Sequence, residues 1–225
     1  MKKIGMLLMM LGLGVFAGTG MAQGIQSGDT QGSVDVWLGS ALEKSDLEID
    51  GKRLSWGNLG AGLGMSYLYF PEAHLGLGLG FQYTNFQGSD SIDYIPGRWF
   101  WHTLESDFET DTLHLMAQGR ININPSSAVR VYLPFGVGAG VSVGTMTYTW
   151  DDLFEDEYLA ANFSWGWYGG IGVEFAQSDR SAWSIEARYN TFRFDDRDFA
   201  DQIGAVVLDN NRHSYVSLAV KFSFK

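Results

Sequence analysis

The chain has 225 residues and no cysteine, so neither a disulfide framework nor a thiolate zinc site is available to it. Positive charge is scarce: 15 Lys and Arg stand against 26 Asp and Glu, a net charge of −11. Nucleic-acid binding depends on neutralising phosphates with basic side chains, so nucleic acid is excluded as a partner. Only 4 prolines occur. Long hydrophobic runs are missing too, since no segment offers the ~20 apolar residues that a membrane-spanning helix needs. The apolar stretch from Ile4 to Phe16 follows Lys2 and Lys3 and leads into small residues ending at Ala22. That order reads as a secretory signal peptide over residues 1–22. Its removal takes away two lysines and no acid, which leaves residues 23–225 more acidic still. An exported chain without a hydrophobic helix is periplasmic, secreted, or a membrane β-barrel.

What is abundant is glycine, with 29 residues, and aromatics at 15%. The two are interleaved. In "LGLGLGFQYT", Leu75, Leu77, Leu79, Phe81 and Tyr83 fall on one parity, with Gly76, Gly78, Gly80, Gln82 and Thr84 on the other. A period of two is the strand period, because successive side chains point to opposite faces. Neither glycine-rich phosphate-loop pattern is present. The same alternation recurs over 33–43, 58–70, 112–123, 130–146, 163–175, 182–192 and 213–224, which makes eight strands. Short turns at 71–74, 124–129 and 177–180 alternate with long polar connections at 44–57, 85–111, 147–162 and 193–212. Membrane barrels have this alternation of short periplasmic turns and long extracellular loops.

The bulky apolar face and the small or polar face decide the solvent. An eight-stranded barrel has an interior only wide enough for side chains to fill it. Glycine-rich faces fit inside such a bore, and Leu, Val, Ile and aromatics fit outside it if the surroundings are hydrocarbon. Tyr67, Tyr69, Phe175, Trp183 and Phe222 fall toward the short-turn rim, and Phe81, Tyr83, Trp165, Trp167 and Tyr189 toward the other. Two aromatic girdles are what a membrane barrel carries. The fold expected is all-β, an eight-stranded antiparallel up-and-down transmembrane barrel over residues 23–225.

With the strand count, the loop alternation, "RVYLPFGVGAGVSVG" (130–144) and the closing strand "YVSLAVKFSF" (215–224), the chain resembles the small eight-stranded outer-membrane barrels of the OmpA/OmpX-like type. The resemblance implies the outer membrane of a Gram-negative-type bacterium after export with signal-peptide cleavage. It also implies lipid and lipopolysaccharide as surroundings, a monomer, and assembly by the barrel insertion machinery through the C-terminal strand. One departure is that Phe224 is followed by Lys225, so the terminal aromatic is penultimate. Small barrels of this type host several functions, so the resemblance speaks for architecture.

Parity places Asp35, Glu174 and Glu186 inward with Arg120, Arg188 and Lys221, three charges of each sign. Buried charges must be paired, so a lumen plugged by salt bridges is expected, with Arg120 and Arg188 forking onto the two glutamates. The alternative is a narrow ion channel through the same residues. A lipid A-modifying enzyme needs a nucleophile and a base on one wall within reach. His213 and Ser214 fall on opposite faces, His114 points inward, and His74 and His102 sit in connections, so no enzyme and no cofactor are expected. Function is then sought in the loops. Arg98, Trp99, Phe100 and Trp101 form an aromatic patch suited to packing or to a host-surface or other extracellular ligand. Asp151, Asp152, Glu155, Asp156, Glu157, Asp195, Asp196, Asp198 and Asp201 form an acidic rim with no EF-hand spacing. The expected role is structural, for membrane integrity, or adhesive through the loops.

Overall fold

The computed structural model describes residues 24–43, 45–49, 52–56, 59–94, 102–150, 154–194, 206–207 and 212–225. Its strands are β1 (Thr30–Glu43), β2 (Ser45–Ile49), β3 (Lys52–Trp56), β4 (Leu59–Glu72), β5 (Leu75–Tyr94), β6 (His102–Asn122), β7 (Val129–Trp150), β8 (Phe154–Ala176), β9 (Ser181–Phe194), β10 (Val206–Val207) and β11 (Arg212–Phe224). Eight of them close an antiparallel barrel in the order β1-β11-β9-β8-β7-β6-β5-β4, while β10, β2 and β3 form a small separate sheet. Closure runs through the β1–β11 ladder, from Gly32↔Phe224 to Glu43↔Ser214.

The two-residue period sorts side chains as a barrel wall requires. Leu38, Leu79, Val137 and Leu218 point outward and are 55 to 60% exposed, while Phe70, Met116, Tyr132, Glu174 and Glu186 point inward and are fully buried. Burying one such aliphatic side chain is worth ~1.5–3 kcal/mol. A wall covered with them forfeits that gain repeatedly in water and recovers it in hydrocarbon. Aromatic pairs lie on this outer face toward the two rims: Phe175 stacks on Trp183 with centroids 4.3 Å apart, and Trp167 meets Tyr189 at 5.6 Å.

The strands are longer than the alternation indicates. Residues 85–111 and 147–162 are largely ladder rather than loop: β5 and β6 stay paired to Tyr94↔His102, and β7 and β8 to Trp150↔Phe154. These four strands have 20 to 23 residues, about twice the ~9–11 that cross a bilayer. Beyond the apolar band the outer face meets water, so the hydrophobic alternation ends while the ladder continues. Polar pairs take over there. Asn85 donates to Glu109 (2.8 Å) and Asp111 (2.9 Å), and Gln87 donates to Glu109 (3.1 Å). Phe86 and Phe108 remain buried on the inner face. The connection 44–57 likewise contains the β2–β3 hairpin.

At the short-turn end the turns are pinned by their own side chains. Asn124 donates to the Val129 carbonyl and accepts from the Val131 N–H, and Ser178 Oγ accepts from the Ser181 N–H. The segment before β1 folds across this rim. The Ile25 N–H donates to the Pro125 carbonyl, and the Ile25 side chain is buried with Leu68 and Phe70. Gly28, at φ 88° where glycine is favoured, turns the chain so that its N–H reaches the Phe70 carbonyl. Lys225 Nζ then holds the Gly24 carbonyl (3.1 Å) and Asp29 Oδ2 (2.6 Å).

Partial burial pushes the Asp29 carboxyl up, but the Lys225 ammonium, the Gln26 N–H and the charge of Arg130 outweigh it and hold the group below its ordinary value. A depressed carboxylate pKa gives stability that is present at higher pH and lost as pH falls through the folded pKa. As pH falls through the depressed Asp29 pKa, the protection of the Gly28 and Phe70 amides, relative to their intrinsic exchange rates, is therefore expected to fall. Asp29→Asn should show the lower protection already at neutral pH and lose the acid step, as read by hydrogen–deuterium exchange.

Candidate functional site

The most elaborate chemistry of the described residues lies inside the barrel. Nearest the short-turn end, Glu174 of β8 receives Arg120 of β6 through two bonds, Nη1 to Oε2 at 2.7 Å and Nη2 to Oε1 at 2.9 Å. Arg130, its register partner on β7, pairs with Oε1 at 2.8 Å, and Gln31 of β1 donates to Oε2 at 3.1 Å. The Arg120 guanidinium also covers the Tyr132 ring at 3.8 Å, a cation–π contact.

The second acid, Glu186 of β9, takes Lys221 of β11 at 3.2 Å and the Tyr132 hydroxyl at 2.6 Å. Arg188 binds Glu186 Oε2 and reaches Asp35 Oδ2 of β1 at 2.9 Å. Arg120 thus forks onto one glutamate, whereas Arg188 divides its guanidinium between Glu186 and Asp35. All six residues named from parity lie in this network. A seventh was missed. Arg130 is buried with them, so four cations face three carboxylates rather than three facing three. Its even position, shared with Tyr132 and Gly136, was the signal that marks it as inward.

Local glycine placement builds these contacts. Tyr132, Gly172 and Glu186 are register partners across β7, β8 and β9. A Cβ on Gly172 would run into the Tyr132 ring, so glycine lets the phenol lean over one strand to reach the acid on the next. His114, Gly140 and Ser164 are likewise register partners across β6, β7 and β8, and a Cβ on Gly140 would run into the Leu113 carbonyl oxygen. His114 Nε2 lies 2.8 Å from Ser164 Oγ. This is a His–Ser pair that no sequence spacing reveals.

Among the described residues it has no orienting acid of the kind a nucleophilic site uses. His114 Nδ1 has no partner among the described residues, so no carboxylate orients the ring, and both side chains are fully buried. His213 points inward against Phe86, and Ser214 donates to Thr191 on the other face. His74 Nδ1 lies 2.8 Å from the Asn122 carbonyl in its turn.

Beyond the charges, toward the long-connection end, the bore is closed by aromatics. Trp37, Phe86, Phe192, Tyr215 and Ala219 form one buried cluster. Trp37 stacks on Tyr215 at 5.2 Å, and Gln82 donates to the Tyr215 hydroxyl at 3.3 Å. Among the described residues, no group of three His, Asp or Glu side chains is arranged to hold a metal ion. Arg98, Trp99, Phe100 and Trp101 lie outside the described residues, as do Asp151, Asp152, Asp195, Asp196, Asp198 and Asp201. So do the side chains of Glu155, Asp156 and Glu157.

Comparison with known proteins bears on the same architecture. Residues 7–222 match the family model described as "Outer membrane protein beta-barrel domain". Among solved structures, the attachment invasion locus protein Ail of Yersinia pestis is similar at 14% identity and a TM-score of 0.44, over 88% of this chain and 100% of that one. The outer membrane protein OprG of Pseudomonas aeruginosa is similar at 15% identity and a TM-score of 0.44, over 90% and 98%. Neisserial surface protein A gives 14% and 0.43, over 87% and 96%. No curated protein sequence matches the chain.

Removing the acid that two guanidiniums share should be more damaging than removing either cation. Glu174→Gln leaves Arg120 and Arg130 facing each other in a buried site, a loss of order 3–5 kcal/mol. Arg130→Met should be milder, because Arg120 and Gln31 still satisfy Glu174. Urea unfolding in detergent micelles, scored by the folded and unfolded gel bands, checks this order.

Proposed function

Because the chain belongs to the outer membrane protein beta-barrel domain family, we propose that it serves as a non-enzymatic, monomeric integral protein of the outer membrane. Its closed barrel contributes to membrane integrity, and its extracellular end carries surface interaction. Residues 1–22 direct export and are cleaved, and the β11 strand ending in Phe224 and Lys225 presents the chain to the barrel insertion machinery. Lipid and lipopolysaccharide surround the wall.

The observation that carries the structural reading is the filled lumen. Asp35, Arg120, Glu174, Glu186, Arg188 and Lys221 are at most 6% exposed and mutually paired, and the Trp37–Tyr215 cluster lies above them. Ions crossing that bore would have to break buried pairs at several kcal/mol each, which supports a plug over a channel. The extracellular candidates are Arg98, Trp99, Phe100 and Trp101, between β5 and β6 in the chain, three aromatics beside an arginine, the residue types that contact surfaces favour.

Planar-bilayer recording on the purified barrel tests the plug. No steady conductance is expected from the wild-type protein, and Glu186→Ala with Arg188→Ala should introduce one. Stepwise wild-type conductance that Arg120→Ala abolishes would support the channel instead. For the outer end, serine at positions 99, 100 and 101 should lower attachment of expressing cells to a host surface. The heat-dependent gel mobility of the barrel should not change.

A further inference from the structure

Every seam of the barrel but one joins strands that follow each other in chain order around the wall; the β1–β11 seam joins the two ends of the chain. A hairpin takes its register from the length and type of its turn. No turn links β1 to β11, so their alignment is set by something else. Facing narrows the choice without settling it. A shift of one residue would turn every side chain of β1 over, whereas a shift of two keeps each on its face. The outward pairs of the seam, Val34↔Phe222, Val36↔Val220 and Leu38↔Leu218, are all apolar and would tolerate such a shift. The consequence reaches the whole barrel. A residue row followed around the wall from Ser40 by way of Val216, Phe135 and Leu77 returns to β1 at Thr30. That climb fixes girth and strand tilt together.

The inward row distinguishes the alignments. Among the inward residues 31 to 41 of β1 only Asp35 carries a charge, and among those from 215 to 223 of β11 only Lys221 does; the two are register partners. Asp35 leans over Gly64 of β4, where a Cβ would meet its carboxylate, and it receives Arg188 of β9 at 2.9 Å, across β11. Gln31 donates to Glu174 of β8 at 3.1 Å and accepts from Arg120 of β6 at 3.3 Å. Side chains therefore tie β1 to β6, β8 and β9, none of which it meets in the ladder. A shift of two residues displaces a side chain by about 7 Å, which breaks these ties. Arg188 would then face Ser33 or Trp37 in place of Asp35, and a buried pair that loses one partner is strongly unfavourable. At the rim Lys225, just past β11, repeats the alignment by holding the Gly24 carbonyl and Asp29 ahead of β1.

We propose that Gln31, Asp35 and Lys225 form the register key of barrel closure. When the two ends of the chain meet, they admit one alignment among those that keep every side chain on its face. The buried pairs thus select which barrel forms, besides filling its bore. This needs only the closed barrel and is independent of any role for the extracellular end.

Cysteine trapping reads the alignment directly, in a chain with no cysteine of its own. Val36→Cys with Val220→Cys marks the observed register. Val36→Cys with Phe222→Cys, or with Leu218→Cys, marks a shift of two residues in one direction or the other. The protein is refolded into bilayers and oxidised with copper phenanthroline, and bridges are read by non-reducing gel mobility and peptide mass spectrometry. With the key intact, the 36–220 pair should bridge and both offset pairs should stay at background. Gln31→Ala with Asp35→Asn and Lys225→Met should raise at least one offset pair several-fold. Gln31→Ala with Asp35→Asn serves as the second variant if the triple change fails the heat-dependent gel check for folding. Trp37→Leu, which keeps the key and removes the largest side chain of the row, should leave the offset pairs at background. Offset bridging with the key intact, or a folded variant without the key that still bridges at 36–220 alone, would overturn the proposal. So would offset bridging in Trp37→Leu as strong as in the variant without the key, since shape would then select the register.

Discussion

The structure depends on a single constraint: a strand ladder that lies in hydrocarbon must close on itself, because an unpaired backbone group there costs several kcal/mol. The β1–β11 pairing meets that demand. Closure with bulky apolar residues outward leaves a narrow bore, and inward positions must then be small, polar and partnered, or packed against one another as in the Trp37–Tyr215 cluster. The alternation of leucine with glycine in 75–80 and the pairing of Glu174 with two arginines follow from the same requirement.

Within the bore, charge and shape are arranged together. Glutamates sit opposite or beside glycines, so long partners reach across a neighbouring strand. Tyr132 passes over Gly172 to Glu186, and Arg188 links β9 to β1 through Asp35. These contacts join strands that the backbone ladder does not pair, since β9 and β1 are separated by β11. The ion pairs therefore do for the barrel's cross-section what hydrogen bonds do along its wall. The segment Gly24–Asp29 and Lys225 close the short-turn rim over the same charges.

Much of this was legible in the sequence. Strand number, facing and closure came from a period of two sustained over ten or so residues, because one face met lipid and the other a packed interior. Legibility failed where that asymmetry ended. From Asn85 onward β5 has polar residues outside and Phe86 inside, so its continuation to Tyr94 left no hydrophobic signature. The inward charges were visible by parity, and Arg130 was overlooked because it stands at the first position of its alternation. Contacts between strands were not legible. The His114–Ser164 proximity depends on Gly140 lying between them in register, and alternation alone does not fix the register.

The central claim is that the apolar parity faces lipid and the other parity a packed lumen. The most direct measurement is a spin-label scan of single cysteines at residues 75, 77, 79 and 81–84, in a chain with no native cysteine to remove; the inward glycines 76, 78 and 80 have no room for a Cβ and are left in place. Oxygen accessibility in lipid bilayers should be high at 75, 77, 79, 81 and 83 and low at 82 and 84. Accessibility to a water-soluble relaxant should stay low throughout. High access to the water-soluble relaxant at 82 and 84 would show an open aqueous bore. Alternation of the opposite phase would show that the wall is turned the other way.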